Sequence, residues 1–150
     1  MKVYNLVCRF KRKYPMTVAQ RLRQHSNVAA GVVDRDEEVY YAFCGQKNDS
    51  YRILFDTCVV IVTNKRIIIG QKRLLWGYKI ITVIPELFND LKLFSGLIWG
   101  KVEIDTVKEV IWISNIDKKS LDEIETNVNK IMLENKRRLS KGNENYVREN

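Results

Sequence analysis

The sequence predicts a mainly β domain, a bent sandwich or barrel of seven short strands, closed by one C-terminal α-helix and preceded by a short N-terminal helix. Between residues 38 and 113, short segments rich in β-branched and aromatic residues alternate with turn residues. This spacing is typical of a sandwich or barrel rather than of alternating strands and helices. From Ser120 onward, apolar residues recur instead at helical spacing.

Length and charge suggest one domain with extensions. The 150 residues, 45% of them hydrophobic, are enough to close a core. The net charge of +8 is uneven, because the first 33 residues hold seven Lys/Arg and no Asp or Glu. We therefore expect a basic arm over 1–33, a domain over 34–139 and a flexible polar tail over 140–150.

The basic arm is expected to contain a short amphipathic helix. Thr17 follows Pro15 as a predicted N-cap, and a broken apolar stripe ends at Gly31. Before it, basic residues interleaved with aromatic ones could contact a polyanion, namely Arg9, Lys11, Arg12 and Lys13. A solvated extension is the plainer interpretation of this run.

Seven strands are predicted after an acidic turn at 34–38. They are Val39 to Cys44, Cys58 to Thr63, Arg66 to Gly70, Gly77 to Val83, Asp90 to Phe94, Lys101 to Ile104 and Glu109 to Ile113. Asn64 and Lys65 are typical of a tight hairpin between the second and third strands.

The final helix shows a start signal and one apolar face. Ser120 with Glu123 three residues later predicts a capping box, and Leu121, Ile124 and Val128 follow at helical spacing. We expect this helix to end near Leu139, because the polar segment beyond it lacks an apolar stripe.

Three segments resemble the bacterial pleckstrin-homology (PH)-like families, especially the type named after YokE. They are Glu38 to Phe43, Val62 to Ile69 around a T-N-K-R hairpin, and Gly100 to Ile104. The resemblance spans about Asp34 to Leu139. It implies the PH fold, in which the C-terminal helix plugs one end of a bent sheet pair, and it implies a binding role. Some related bacterial proteins are similar to ring-forming oligomers.

Motifs that carry chemistry point away from an enzyme. His25 is the only histidine, and the chain has no phosphate loop, dinucleotide-binding glycine motif or nucleophile elbow. Its three cysteines form neither a C-x-x-C pair nor a zinc set. We expect no cofactor, no metal and no small-molecule substrate.

The same features bear on location. Unpaired cysteines in apolar strands fit a reducing cytoplasm. No apolar stretch approaches the roughly 20 residues that span a bilayer, and no secretory signal is expected.

Basic loops form the first candidate site. If the loops after strands one, three and six meet at one end, as the PH resemblance implies, they unite Lys47, Arg52, Lys72, Arg73 and Lys108. Such groups can hold phosphate. The spacing of the first two is a poor match to the phosphoinositide motif, so ordinary loop charges are the alternative.

Two apolar loops form the second candidate site. Their residues are Leu75, Trp76 and Tyr78 in one loop and Ile98 and Trp99 in the other. These side chains are expected to contact a protein partner or a second copy, to enter a lipid interface, or to be buried against a neighbouring loop. The sequence favours a protein-interaction or self-assembly module. Binding to an anionic membrane is the alternative, and contact with nucleic acid is less favoured.

Overall fold

The computed structural model describes residues 2–148. Within that range the elements are α1 (Lys2–Lys13), α2 (Leu22–Ala30), β1 (Val39–Gln46), β2 (Thr57–Thr63), β3 (Ile67–Lys72), β4 (Tyr78–Val83), β5 (Phe88–Ser95), β6 (Trp99–Thr106), β7 (Val110–Asp117) and α3 (Leu121–Arg148), with one-turn 3-10 segments at Pro85–Leu87 and Lys118–Ser120. The strands form one antiparallel sheet in the order β4-β3-β2-β1-β7-β6-β5. The predicted seven-stranded bent fold with a C-terminal helix is confirmed, with strand boundaries displaced by a few residues.

The sheet divides into two halves where β1 meets β7. Neighbouring strands elsewhere pair along most of their length, whereas β1 and β7 pair only at Gln46 and Ser114. This short ladder lets the β1–β4 half and the β5–β7 half turn toward each other. α3 contacts strands of both halves and buries Ile124, Val128 and Met132 in the core.

Helices α1 and α2 cover a second face of the β1–β4 half. The cross-strand partners Cys44, Val59 and Gly70 share one face of the sheet. Gly70 lies directly beneath α2, because a Cβ there would come within 2.7 Å of the backbone N of Ala29. α1 packs on β1. With helices on both sides, β2 is buried along its entire length.

The expectation of a solvated basic arm is wrong for residues 2–13. α1 buries Val3, Val7 and Phe10, and Tyr14 joins the same hydrophobic cluster just beyond its end. These four residues recur at intervals of four, three and four, which is the spacing of one helix face. The many lysines and arginines on the opposite face concealed this period.

Two predicted helix caps are also wrong. Thr17 is buried, and its hydroxyl accepts the N–H of Asp117 at 3.0 Å. α2 instead begins at Leu22, after Arg21 in the left-handed conformation at φ 52°. Ser120 donates to the carbonyl of Asp117, while the Glu123 carboxylate accepts from side chains of other elements, so they form no capping box.

The C-terminal helix is longer than expected. α3 continues past Leu139 to Arg148, so residues 140–148 are helical rather than a loose tail, and 149–150 lie outside the described residues. Beyond Leu139 the helix is exposed on all sides. Lysine, arginine and glutamate favour helix without any packing, and Gly142 alone does not interrupt it.

The contact between Gly70 and α2 can be tested by adding one methyl group. We expect Gly70→Ala to lower the free energy of unfolding by about 1–3 kcal/mol, because the new Cβ meets helix backbone that must move. Gly142→Ala is the matched control: no atom lies within 4 Å of its Cβ position, and alanine favours helix. Urea denaturation measures both, and equal stability of the two variants would contradict the close packing.

Candidate functional site

Three loops meet at one end of the sheet: β1–β2 (47–56), β3–β4 (73–77) and β5–β6 (96–98). Phe55 of the first loop and Leu74 of the second line one cleft. Tyr51 of the first loop lies against Gly96 of the third and stacks on Trp99, with ring centroids 6.3 Å apart. The first loop therefore connects the other two, and we call the surface of these three loops the loop tip.

Large apolar side chains of the loop tip are turned to solvent. Their exposed fractions are 91% for Phe55, 87% for Leu97, 84% for Trp76, 82% for Leu75 and 78% for Leu74. Side chains of this kind are ordinarily buried, and exposed clusters of them usually mark a contact surface. Among the candidate interface residues, Tyr78 is also exposed and Ile98 is partly so, at 44%.

Trp99, by contrast, is partly buried and hydrogen-bonded to another segment of the chain. It is the first residue of β6, and its Nε1 donates to the carbonyl oxygen of Met16 at 2.8 Å. Its ring is half-buried against Tyr51. Trp99 thus connects the segment after α1 to the loop tip through this hydrogen bond. In the β5–β6 loop, Leu97 rather than Trp99 is the highly exposed apolar side chain.

Basic residues surround the apolar side chains of the loop tip. They are Lys47 and Arg52 in the first loop, Lys72 and Arg73 at the second, and Lys79 at the start of β4. None of them forms an ion pair within residues 2–148. Partial burial, and then the neighbouring ammonium group of Lys79, lower the pKa of Lys47. The loop tip therefore carries positive charge that no carboxylate neutralises by direct contact.

Lys108 lies apart from the other predicted basic residues. The N–H of its neighbour Val107 donates to the carbonyl of Leu87, in the 3-10 segment that follows β4. Lys72 lies at the opposite end of β4, where it pairs with Tyr78. The expected convergence is therefore wrong for Lys108, because antiparallel pairing places the loop after β6 at the opposite end of the sheet from the loops after β1, β3 and β5.

The basic residues of α1 are only partly free. Arg9 and Arg12 are exposed, Lys13 forms an ion pair with Glu123, and Lys11 donates to the carbonyl of Pro15. The aromatic side chains between them, at positions 10 and 14, are buried and cannot stack on bases. Polyanion contact by Arg9, Lys11, Arg12 and Lys13 stays a prediction.

A cleft of about 340 Å³ lies between the start of α2 and the loop tip. One wall is His25, which is only 3% exposed and whose Nδ1 accepts the N–H of Lys72 at 2.9 Å. Burial, and then the charge of Arg21, lower the pKa of His25 to about 4. At neutral pH the imidazole is therefore uncharged and carries its proton on Nε2.

Several residues of this surface were missed from sequence. Arg21, His25 and Lys79 reach the cleft only because α2 packs on β3 and β4, a long-range contact without a local signal. Phe55 did have a signal, since it ends the apolar run Ile53-Leu54-Phe55 in a loop between two strands.

Cys8, Cys44 and Cys58 are free thiols. Among the residues described, no group of His, Cys, Asp and Glu side chains is arranged to hold a metal ion. Over the same range, each helix is too short or too polar to cross a membrane.

A bent seven-stranded sheet closed by a C-terminal helix, with its loops exposed at one end, defines a PH-like domain. The family model described as "Bacterial PH domain" matches residues 33–130, and the chain belongs to that family. Domains of this kind generally act as binding modules and are typically non-catalytic. The finer resemblance to the YokE type stays a prediction.

One solved structure is similar to this chain. It is the crystal structure of a pleckstrin homology domain from Shewanella amazonensis SB2B, with 9% sequence identity, 77% of this chain and 87% of that chain covered, and a TM-score of 0.43. No curated protein matches the chain.

The burial of neutral His25 predicts a pH dependence of stability. Because its pKa is about 4 in the folded chain and about 6.5 in the unfolded chain, the unfolded state binds more protons between these values. Protonation of His25 therefore does not lower the free energy of unfolding above pH 6.5, but lowers it progressively as the pH falls toward 4. Between pH 7 and pH 4 we expect the native protein to lose about 2–3 kcal/mol more than His25→Gln. Urea denaturation across this range measures it, and parallel profiles would refute a buried neutral imidazole.

Proposed function

We propose that this protein is a non-catalytic peripheral docking module whose loop tip enters the interface of an anionic membrane. The observation that carries the proposal is the exposure of Phe55, Leu74, Leu75, Trp76 and Leu97 at the ends of loops. Burying apolar surface lowers the free energy by roughly 25 cal/mol per Å². Binding that removes these side chains from water is therefore favourable.

Two properties favour a lipid surface over a flat protein surface. The apolar side chains stand on separate projecting loops, a shape that penetrates a soft interface and leaves gaps against a rigid one. Trp76 also has the amphipathic ring that lies preferentially at the level of lipid head groups.

The positive charge of the loop tip also favours binding to an anionic membrane. Lys47, Arg52, Lys72, Arg73 and Lys79 outnumber the acidic residues of the first loop, Asp49 and Asp56. A basic group close to an anionic membrane contributes about 1 kcal/mol, and salt screens this attraction. The apolar and electrostatic contributions together favour membranes rich in anionic lipid.

Sedimentation with lipid vesicles tests the proposal. We expect the protein to sediment with vesicles that contain phosphatidylglycerol and to remain in solution with pure phosphatidylcholine vesicles. The double variant Leu75→Ala/Trp76→Ala should lose at least tenfold in vesicle affinity, because it removes the most exposed apolar surface of one loop.

Leu133→Ala is the matched control, since Leu133 is 53% exposed on α3. It should bind vesicles as the unmodified protein does. Equal binding by the double variant, or no binding of the unmodified protein to anionic vesicles at low salt, would refute membrane docking through the loop tip.

Protein interaction or self-assembly is the second candidate. The favouring observation is the edge strand β4, whose outer side has no neighbouring strand within the described sheet. Beside it, α2 and β4 border a groove of about 450 Å³ lined by Val28, Val32 and Ile80 among others. A free strand edge next to an apolar groove can accept a strand from another chain.

Light scattering at low and high salt measures self-assembly. We expect any multimer that forms through this edge to dissociate in Ile80→Lys, which places a charge in the groove. A monomer at all concentrations would exclude self-assembly, and an unchanged multimer in the variant would exclude this edge. A cytoplasmic location stays a prediction.

A further inference from the structure

The sheet has two edge strands, β4 and β5, and only β5 is protected. The pairing of β5 with β6 shifts register between Phe88 and Asp90, α3 packs beside β5, and the ammonium group of Lys136 donates to the carbonyl of Phe88. β4 pairs with β3 over all six of its residues without a register shift, and Lys79 is its only charged side chain. Within the described sheet, β4 is therefore the edge that is open to a further strand.

The backbone of β4 has unused hydrogen-bonding groups. In an antiparallel strand, the N–H and C=O groups of alternate residues point to opposite neighbours, so about half of those in β4 point away from β3. Apart from the ladder with β3, no backbone hydrogen bond within residues 2–148 involves residues 78–83. Another strand can pair with these groups.

A groove of about 450 Å³ runs beside β4, and we call it the edge groove. Val28 of α2 and Val32, just after the helix, line one side of it, and Tyr78 and Ile80 of β4 line the other. Tyr78 and Ile80 are alternate residues of the strand, so they lie on the same face of the sheet. A strand added to β4 would continue this alternation and place every second side chain in the edge groove.

Charge indicates which kind of strand fits. Lys72 is the only charged residue in the described lining of the edge groove, and its ammonium group forms no ion pair within residues 2–148. The β4 strand of a second copy would bring no carboxylate to it, because Tyr78–Val83 contains no Asp or Glu. A strand from another protein with an acidic residue at one end supplies the missing charge.

We propose that β4 and the edge groove bind an extended acidic peptide of a partner protein as an additional strand. Alternate apolar side chains of the peptide contact Val28, Val32 and Ile80, and a carboxylate at one end of the peptide pairs with Lys72. The inference rests on the second candidate function above and deepens it by naming the chemistry of the partner. It is separate from membrane docking, because no residue of the three loops of the loop tip lines the edge groove.

Selection from a random-peptide display library on the full chain tests the preference. We expect the enriched peptides to alternate apolar and polar residues and to carry Asp or Glu at one end of the alternation. An absence of enriched peptides would overturn the proposal. Enriched peptides with apolar residues at helical spacing would also overturn it, because such a ligand does not add to a strand edge.

Two variants locate binding of the best synthetic peptide from this selection. We expect Ile80→Lys, which places a charge in the edge groove, and Asn27→Trp, which fills it from the exposed side of α2, each to lose at least tenfold in affinity. Val110→Lys is the matched control, because Val110 is a 47% exposed β-branched residue on a strand outside the groove. Circular dichroism checks that each variant is folded. Unchanged affinity in either folded groove variant would overturn the site.

The charge pairing has its own test. The unmodified protein should bind the acidic peptide more tightly than a version in which the acidic residue is replaced by its amide. Lys72→Gln should lose this preference, and Lys108→Gln, which removes an exposed lysine at the other end of the sheet, should keep it. The same preference in both variants would overturn the pairing with Lys72.

Hydrogen exchange of backbone amides reports strand addition directly. When the peptide saturates the protein, the outward-facing amides of β4 should exchange more slowly, while those of β5 should be unchanged. Binding without protection of β4 would overturn the proposal. These measurements contain no lipid, so their failure leaves membrane docking intact, and a failure to bind vesicles leaves the peptide site intact. A multimer that forms through β4 and excludes the peptide would overturn the proposal in favour of self-assembly.

Discussion

Burial of β2 on both of its faces is the constraint on which the rest of the structure depends. All seven residues of Thr57–Thr63 are buried, with α1 and α2 over one side of the β1–β4 half and α3 within the bend on the other. Hydroxyl groups at the two ends of the strand complete this arrangement: Thr57 donates to Gln20, and Thr63 donates to Glu37. Apolar burial therefore positions the strand, while polar contacts at its ends determine where the loops begin.

Covering the sheet in this way limits where the protein can bind anything else. A sheet face is unavailable once helices occupy it, so the loops and the strand edges remain. α2 has a second effect, because the packing that buries Ala29 against Gly70 also brings Arg21 and His25 beside the loops after β1 and β3. The candidate site is thus composed of a standard loop end of the domain and a helix that lies outside the segment matched by the family model.

Local pattern was enough to predict the seven strands and α3, because alternation, turn residues and helical periodicity are properties of neighbouring residues. The exposed Leu75 and Trp76 were recognisable for the same reason. A continuous apolar run such as Cys58 to Val62 is typical of a strand covered on both faces. One of these covers is α2, which contacts β2 directly, while α1 packs on the neighbouring β1. Lys108 lies elsewhere because loops alternate between the two ends of an antiparallel sheet. The anchoring of Trp99 depends on its long-range contact with Met16, which no local pattern encodes.

Gly77 closes the β3–β4 loop at φ 72°, with no other atom within 4 Å of the position a Cβ would take. Leu74, Leu75 and Trp76, beside it, are mostly in solvent. Most substitutions in this loop therefore leave the hydrophobic core untouched and have little effect on folding, provided that the glycine keeps the turn. The loop can accordingly diverge much faster than the sheet that carries it. In related chains, we therefore expect a change of binding target to appear as substitutions in this loop, with the sheet unchanged.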